Sequence, residues 1–403
     1  MKPRVAGLPF IFATICLDAL GIGLLVPIMP DVIRRFGQDP LFVNQYYGYF
    51  ISVYALMQFV ASPVLGSLSD RFGRRSILLI SLLGAGLDYI LMAFAPTLGI
   101  LFVGRIISGL TGASMTVASS YIADISTDQN RSANFGVIGA AWGLGFIIGP
   151  MLGGLVGSYD HHLPFLLAAG LNLLNFAFGL FVLPESLPAE KRRPMDVRRF
   201  NPFHSLSFVL RTSPVLILIV AYALLFLAGQ VLPSIWILYT QYKFNWTTFD
   251  VGLSLTCVGV SVAIVQGGLT RMIVPLLGER KALLWGVCLS LGTLILFGFA
   301  THGWMMYALM ALYALAGVAN PALQSMISSH TPASGQGELQ GSLMSIASLT
   351  SILGPLLYTN LFAYFTHTEV HFQLPGMPFI AAAFFSLAAW FCIFSRKEVG
   401  TPQ

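Results

Sequence analysis

The sequence predicts an all-α polytopic membrane protein, with twelve transmembrane helices arranged as two six-helix repeats. Three observations lead there. Charged residues make up 9% of the chain and hydrophobic ones 56%; an ordinary soluble domain has about 25% charged residues, so too few polar groups exist here to coat several such domains. Apolar runs near the roughly 20 residues needed to cross a bilayer recur from end to end, and lipid leaves their backbones no partner except within a helix. Two pairs of motifs also share one offset: Gly73 and Gly278, and Gly149-Pro150 and Gly354-Pro355, each lie 205 residues apart. Duplication of a six-helix unit is the economical explanation.

The spans fall near 7–30, 46–69, 76–95, 98–121, 134–157 and 163–183, and then near 213–238, 247–271, 280–300, 303–329, 338–362 and 376–395. No small-residue cleavage site follows the first, which leads straight into further spans and is expected to be retained. Residues 1–183 form the first bundle, 184–212 a cytoplasmic linker and 213–403 the second bundle. The linker opens with "PESLPAEKRRPMDVRRFNPFHS", rich in proline and mixed charge with little periodicity. Its basic run suits an anionic lipid surface or a solvated, topology-marking loop.

With the N-terminus in the cytoplasm, every Lys and Arg falls on that side except Arg34, Arg35 and Lys243 outside and Arg105 within the membrane. This satisfies the positive-inside rule and places both termini in the cytoplasm. It also accounts for the net charge of +5 without a nucleic-acid partner. Cys16, Cys257, Cys288 and Cys392 sit in apolar spans without metal-type spacing, and the seven histidines fall in loops or at helix ends. Nothing in the sequence argues for a metal.

Two acids stand inside spans: Asp18 in "ATICLDALGIGLLVP" (13–27) and Asp88 in "GAGLDYILM" (84–92). Asp124 lies near the cytoplasmic end of the fourth span. A charged Asp at a bilayer centre costs about 2.5–3.5 kcal/mol, and loss of water favours the protonated carboxyl. Such a group can bind a proton in one access state and release it in another, or it can be a capped or arginine-paired carboxylate that never titrates. Arg105, in "LFVGRIISGLTGA" (101–113), is costly at that depth unless paired or hydrated, and could neutralise either acid. In "GLGFIIGPMLGG" (143–154), Gly145, Gly149 and Gly153 form a stripe for close helix packing, and Pro150 invites a bend.

The twelve spans, the repeat and "GSLSDRFGRR" (66–75) resemble the major facilitator superfamily. That resemblance implies the major facilitator fold and a charge latch at the cytoplasmic ends of the helices. The matching residues are Asp70, Arg71, Arg74 and Arg75, with Gly66 and Gly73 at close-approach positions. The motif at Gly145–Gly153 resembles that of the superfamily's drug/proton antiporters, in which the arginine matching Arg105 is linked to proton coupling. "LDALGIGLLVPIMP", "YALMQF", "YIADIS" and "NPALQ" are similar to stretches of the tetracycline/proton antiporters of Gram-negative bacteria. By that analogy Tyr54, Gln58 and Gln266 are candidate cavity residues, with helix-packing hydrogen bonds an equal reading. The helix-borne Trp142 and Trp236 could stack on a flat ligand or serve only in packing.

The sequence departs from this pattern in one respect. Those antiporters carry an acid in helix 9 and a histidine in helix 8, where Ser290 and Val262 stand here. Asp250 and Glu338 lie at predicted helix starts, so proton coupling is expected to rest on Asp18, Asp88 and Arg105 of the first half. The resemblance implies a secondary active transporter moving small amphipathic substrates, drugs among them, against protons by alternating access. It would work as a monomer in the lipid of the bacterial inner membrane, with its cavity between helices 1, 2, 4, 5 and 7, 8, 10, 11. A carrier of the same fold for a metabolite or organic anion stays open beside it. An enzyme or receptor would need convergent reactive or metal-binding groups at a membrane face. The short loops show no such cluster and no lysine-bearing phosphate loop, so a gradient-driven carrier without cofactor is expected.

Overall fold

The computed structural model describes residues 7–112, 114–127, 129–192, 216–329, 331, 336–367, 369–370 and 372–395. Twelve helices among them are long and apolar enough to cross a membrane. They are α1 (Gly7–Arg34), α2 (Pro40–Phe72), α3 (Arg74–Ala93), α4 (Leu98–Ile125), α5 (Ala133–Gly157), α6 (Leu163–Val182), α7 (Leu216–Phe244), α8 (Thr248–Leu277), α9 (Glu279–Phe299), α10 (Gly303–Ser329), α11 (Glu338–Thr366) and α12 (Met377–Phe394). Each coincides with an expected span. Several run on past the apolar stretch, because a helix continues until its chain meets a stop signal.

Local chemistry explains those stops. α2 begins six residues earlier than hydropathy suggests because Asp39 caps it, accepting the Leu41 N–H at 3.1 Å, and Pro40 occupies the first turn, where no donor is needed. It ends at Gly73 (φ 97°), as α8 ends at Gly278 (φ 76°); both conformations favour glycine. Asn245 in the left-handed region ends α7.

Four helices are interrupted, and the interruptions repeat. Leu25 precedes a 3-10 turn in α1, and Gln230 stands at the corresponding break in α7. Gly112 ends the first segment of α4, and Gly317 that of α10. Both pairs are separated by the same 205 residues as the two motif pairs. In α7 the Leu227 carbonyl accepts both the Gln230 N–H at 3.1 Å and Tyr358 Oη at 2.9 Å, and Gln230 Nε2 donates to Ser351 Oγ at 3.0 Å. A five-residue π-turn, Val265–Leu269, lies within α8.

The chain forms two compact units. The first holds Met1–Pro202 with Trp246–Gly259, and the second Phe203–Asn245 with Val260–Gln403. This departs from the halves expected at 1–183 and 213–403, because the first turns of α8 pack with the first unit. Gly154 and Gly252 permit that approach: a Cβ on Gly154 would meet the Thr248 carbonyl at 2.7 Å and Gly252 Cα at 3.2 Å. Thr256 Oγ1 also donates to the Ile147 carbonyl at 2.8 Å, and Thr248 Oγ1 to Asp31 Oδ2 at 3.1 Å. A core of Phe10, Ile15, Leu78, Val117, Tyr121 and Ile138 fills the first unit. Leu218, Tyr222, Val287, Leu323, Leu343 and Ile393 belong to the core of the second. Linker residues 193–212 and both termini, with the basic residues that fix the expected orientation there, lie outside the described residues.

Candidate functional site

α1 and α5 meet backbone to backbone, and this contact sets where Asp18 stands. A Cβ added at Gly145 would collide with the Cys16 carbonyl and Leu20 N, one at Gly149 with the Leu20 carbonyl and Gly23 Cα, and one at Gly153 with the Leu24 carbonyl. Gly23 returns the contact, its own Cβ position lying 2.8 Å from Pro150 Cδ. Small residues permit such packing where lipid supplies no hydrophobic drive. The stripe therefore holds the Cys16–Leu24 stretch, and Asp18 within it, against α5.

Asp18 is half-buried and accepts a hydrogen bond from Ser114 Oγ of α4. Asp88 of α3 is 2% exposed and accepts one from Ser108 Oγ, also of α4. Its other oxygen, Oδ1, is buried without a hydrogen-bond partner, and Gly104 makes room for it, a Cβ there lying 3.0 Å away. Each intramembrane carboxyl is thus held by one serine, the two serines flanking the α4 break at Gly112. A hydroxyl can donate to a carboxylate or accept from a carboxylic acid, so it serves both protonation states.

Arg105 is half-buried and pairs with neither acid; the described ion pairs are Arg34–Asp31, Arg74–Asp70 and Arg74–Asp124. Its guanidinium carbon instead lies 4.0 Å from the centroid of the Phe50 ring and 5.5 Å from that of Tyr54, and its buried Nε has no partner. Cation–π attraction offsets part of its desolvation. Gln58 Nε2 donates to the Gly112 carbonyl at 3.0 Å, satisfying a group freed by the α4 break, and lies 3.5 Å from Tyr54 Oη. Trp142 is half-buried and tilts against Phe146, 5.3 Å between centroids.

In the second unit, Gln266 is exposed within the π-turn of α8, a geometry frequent at functional positions. Val262 packs against the apolar core, and the half-buried Ser290 shares a hydrogen bond with Tyr313. Trp236 corrects an expectation: it is 2% exposed and set edge-on to Phe297 at 5.7 Å, with no ring face open to a ligand.

At the junction of α2 and α3, Arg74 brings Asp70 of the expected latch together with Asp124. Only 8% exposed, it reaches Asp70 Oδ1 at 2.6 Å and Asp124 Oδ2 at 3.2 Å, and donates to Ser69 Oγ at 2.6 Å. Arg75 donates to the Leu180 carbonyl at 2.6 Å, while the exposed Arg71 lies over Phe72 at 5.1 Å and makes no ion pair among the described residues. Gly73 needs its missing side chain, whereas Gly66 does not: a Cβ there would touch only Thr116, at 3.8 Å. Ser108, Ser114 and Phe50 carried no mark in the sequence. Asp124 did, as an acid near the end of the fourth span, but nothing in the sequence marked its pairing with Arg74.

The chain matches the Major Facilitator Superfamily over residues 11–276 and again over 272–403. It is 43% identical to the class C tetracycline resistance protein of Escherichia coli over 88% of this chain and 89% of that protein. The class G tetracycline resistance protein of Vibrio anguillarum is 41% identical over 86% and 88% of the two chains. The fold resembles that of the nucleoside transporter NupG, with a TM-score of 0.77 at 13% identity, covering 98% of this chain and 100% of that one.

Proposed function

The chain belongs to the Major Facilitator Superfamily, and we propose that it is a proton-coupled exporter of amphipathic drugs, tetracycline-like compounds among them, working by alternating access. The observation that carries this reading is the pair of intramembrane carboxyls, Asp18 and Asp88, each held by a serine of α4. A carboxyl in lipid persists where it is used, and a hydroxyl partner lets it gain or lose a proton without leaving a bond unmade. The likeness to tetracycline resistance proteins over most of both chains supports the substrate class.

In this cycle Asp18 and Asp88 carry the proton. Arg105, close over Phe50 and Tyr54, tunes the local field without neutralising either acid directly. Tyr54, Gln58, Trp142 and Gln266 offer substrate contacts, and Asp70 with Arg71, Arg74 and Arg75 forms the cytoplasmic latch. The protein is integral to a membrane; we assign it to the bacterial inner membrane as a monomer with both termini cytoplasmic.

One observation favours a second reading. Ser290 and Val262 leave the second unit without the ionisable pair that the resemblance leads one to expect, which suits a metabolite or organic-anion carrier moving its substrate inward or down its gradient. Inverted membrane vesicles energised with a proton gradient separate the two. Proton release on adding tetracycline or another amphipathic drug, lost in Asp18→Asn, is the expected result. Silence across a drug panel, with folded protein present, would refute export and favour the carrier.

A further inference from the structure

We propose that Glu185 is a positioning residue of the cytoplasmic gate: it caps α3 from outside that helix and ties the start of the central linker to the latch. This rests on the transport reading above. α3 begins directly after Gly73, which has no side chain to cap the helix, yet the first N–H groups of any helix have no partner within it. Glu185, just beyond α6, supplies one. Its Oε1 accepts the Arg74 N–H at 2.9 Å and its Oε2 the Arg75 N–H at 3.3 Å. A carboxylate at a helix N-terminus is also favoured by the helix dipole.

The surrounding bonds join the linker to the charges of the latch. Leu187 N–H donates to Glu185 Oε1 at 3.1 Å, folding the loop around its own carboxylate. Tyr121 Oη donates to the Pro184 carbonyl at 2.9 Å, and Ser186 Oγ to Asp124 Oδ2 at 3.0 Å. Oδ2 of Asp124 therefore accepts from both Arg74 and the linker. Gly73 is required for this arrangement, because a Cβ there would overlap the Glu185 carboxyl.

The internal repeat supplies a control. Gly278 has the same positive φ before α9, but nothing lies within 4 Å of where its Cβ would be, so no carboxyl is packed against it as Glu185 is against Gly73. One backbone stop has an acid from a distant segment packed against its glycine, and its duplicate does not. Glu185 thus sets the orientation from which Arg74 reaches Asp70 and Asp124, and a movement of the linker is transmitted to that pair.

The test uses the full chain in proteoliposomes with tetracycline as substrate, comparing Glu185→Gln, Glu185→Ala and, as control, Glu190→Ala, an exposed acid of the same loop. Loss of a charged cap is expected to lower Vmax by about tenfold in Glu185→Ala, with KM and equilibrium drug binding unchanged. Glu185→Gln, which keeps an acceptor, falls between, and Glu190→Ala matches wild type. Hydrogen exchange supplies the second readout: the Arg74 and Arg75 amides should exchange faster, with the middle of α3 unaffected. Wild-type Vmax, a raised KM, or unchanged exchange at these two amides overturns the proposal, as does loss of protection along the whole of α3. If Glu185→Ala does not accumulate, Glu185→Gln is judged by the same measures. Should the wild type move no substrate, the transport reading fails, and exchange at Arg74 and Arg75 still decides the cap.

Discussion

Replacing Gly149 by alanine tests whether the α1–α5 contact is as tight as its geometry implies. The new Cβ would lie 2.8 Å from the Leu20 carbonyl oxygen, 2.9 Å from Gly23 Cα and 3.2 Å from Gly23 C. All three are backbone atoms of α1, so no side chain can swing aside and the helices must part. Overpacking of this kind costs about 1–3 kcal/mol. Alanine also favours a helix over glycine by roughly 0.8–1.0 kcal/mol, which would mask part of the loss. Gly143→Ala removes that ambiguity: it lies on the same helix, gains the same propensity, and its Cβ meets nothing within 4 Å. The difference between the two variants isolates the clash, about 1–3 kcal/mol, or roughly 5- to 150-fold in the folding equilibrium. SDS-driven unfolding in mixed micelles, followed by tryptophan fluorescence, measures it. Because Asp18 rides on the displaced stretch of α1, proton-linked transport should fall in Gly149→Ala and hold in Gly143→Ala. Equal stability of the two variants would refute the argument.

Asp88→Asn keeps the size of the side chain and a partner for Ser108 but cannot ionise; folded yield should hold while proton release on adding drug is lost, and an unchanged proton signal would remove Asp88 from coupling. Arg74→Lys leaves a point charge that cannot reach Asp70, Asp124 and Ser69 together, so Vmax should fall with KM unchanged. A double-mutant cycle with Asp124→Asn should show coupling of about 0.5–3 kcal/mol, and additive effects would deny that the two act as one latch. Trp236→Ala should destabilise the second unit by about 3–5 kcal/mol while drug Kd stays within about twofold of wild type; binding weakened tenfold, or 1.4 kcal/mol, would put the ring back in the site.

Sequence reading went furthest where one physical term dominates. Water cannot satisfy a backbone in lipid, so apolar length alone marked all twelve helices, and the few acids inside them were conspicuous against their surroundings. It fell short where a neighbour from another helix decides the outcome. Ser108 and Ser114 are unremarkable polar residues until α4 sets them against Asp88 and Asp18. Arg105 invited pairing with an acid, but Phe50 and Tyr54 occupy its flank instead. Trp236 could not be distinguished from a ligand platform without knowing that Phe297 packs against it. The first turns of α8 change unit for the same reason: their contact depends on two glycines on different helices, each ordinary by itself.

The repeat separates what the duplication kept from what only one copy holds. Backbone devices recur at one offset: Leu25 and Gln230, Gly73 and Gly278, Gly112 and Gly317, Pro150 and Pro355. The intramembrane charges do not recur. Ala223, Thr293 and Met310 stand 205 residues after Asp18, Asp88 and Arg105. Bends and stops govern how each bundle deforms, and a rocking cycle needs them on both sides. A proton needs only one path, and each further intramembrane acid would add its own insertion cost of about 2.5–3.5 kcal/mol. Symmetric mechanics with one-sided charge is therefore the arrangement expected of a carrier whose proton chemistry is confined to its first unit, and Ser290, hydrogen-bonded to Tyr313, is a neutral contact in the second.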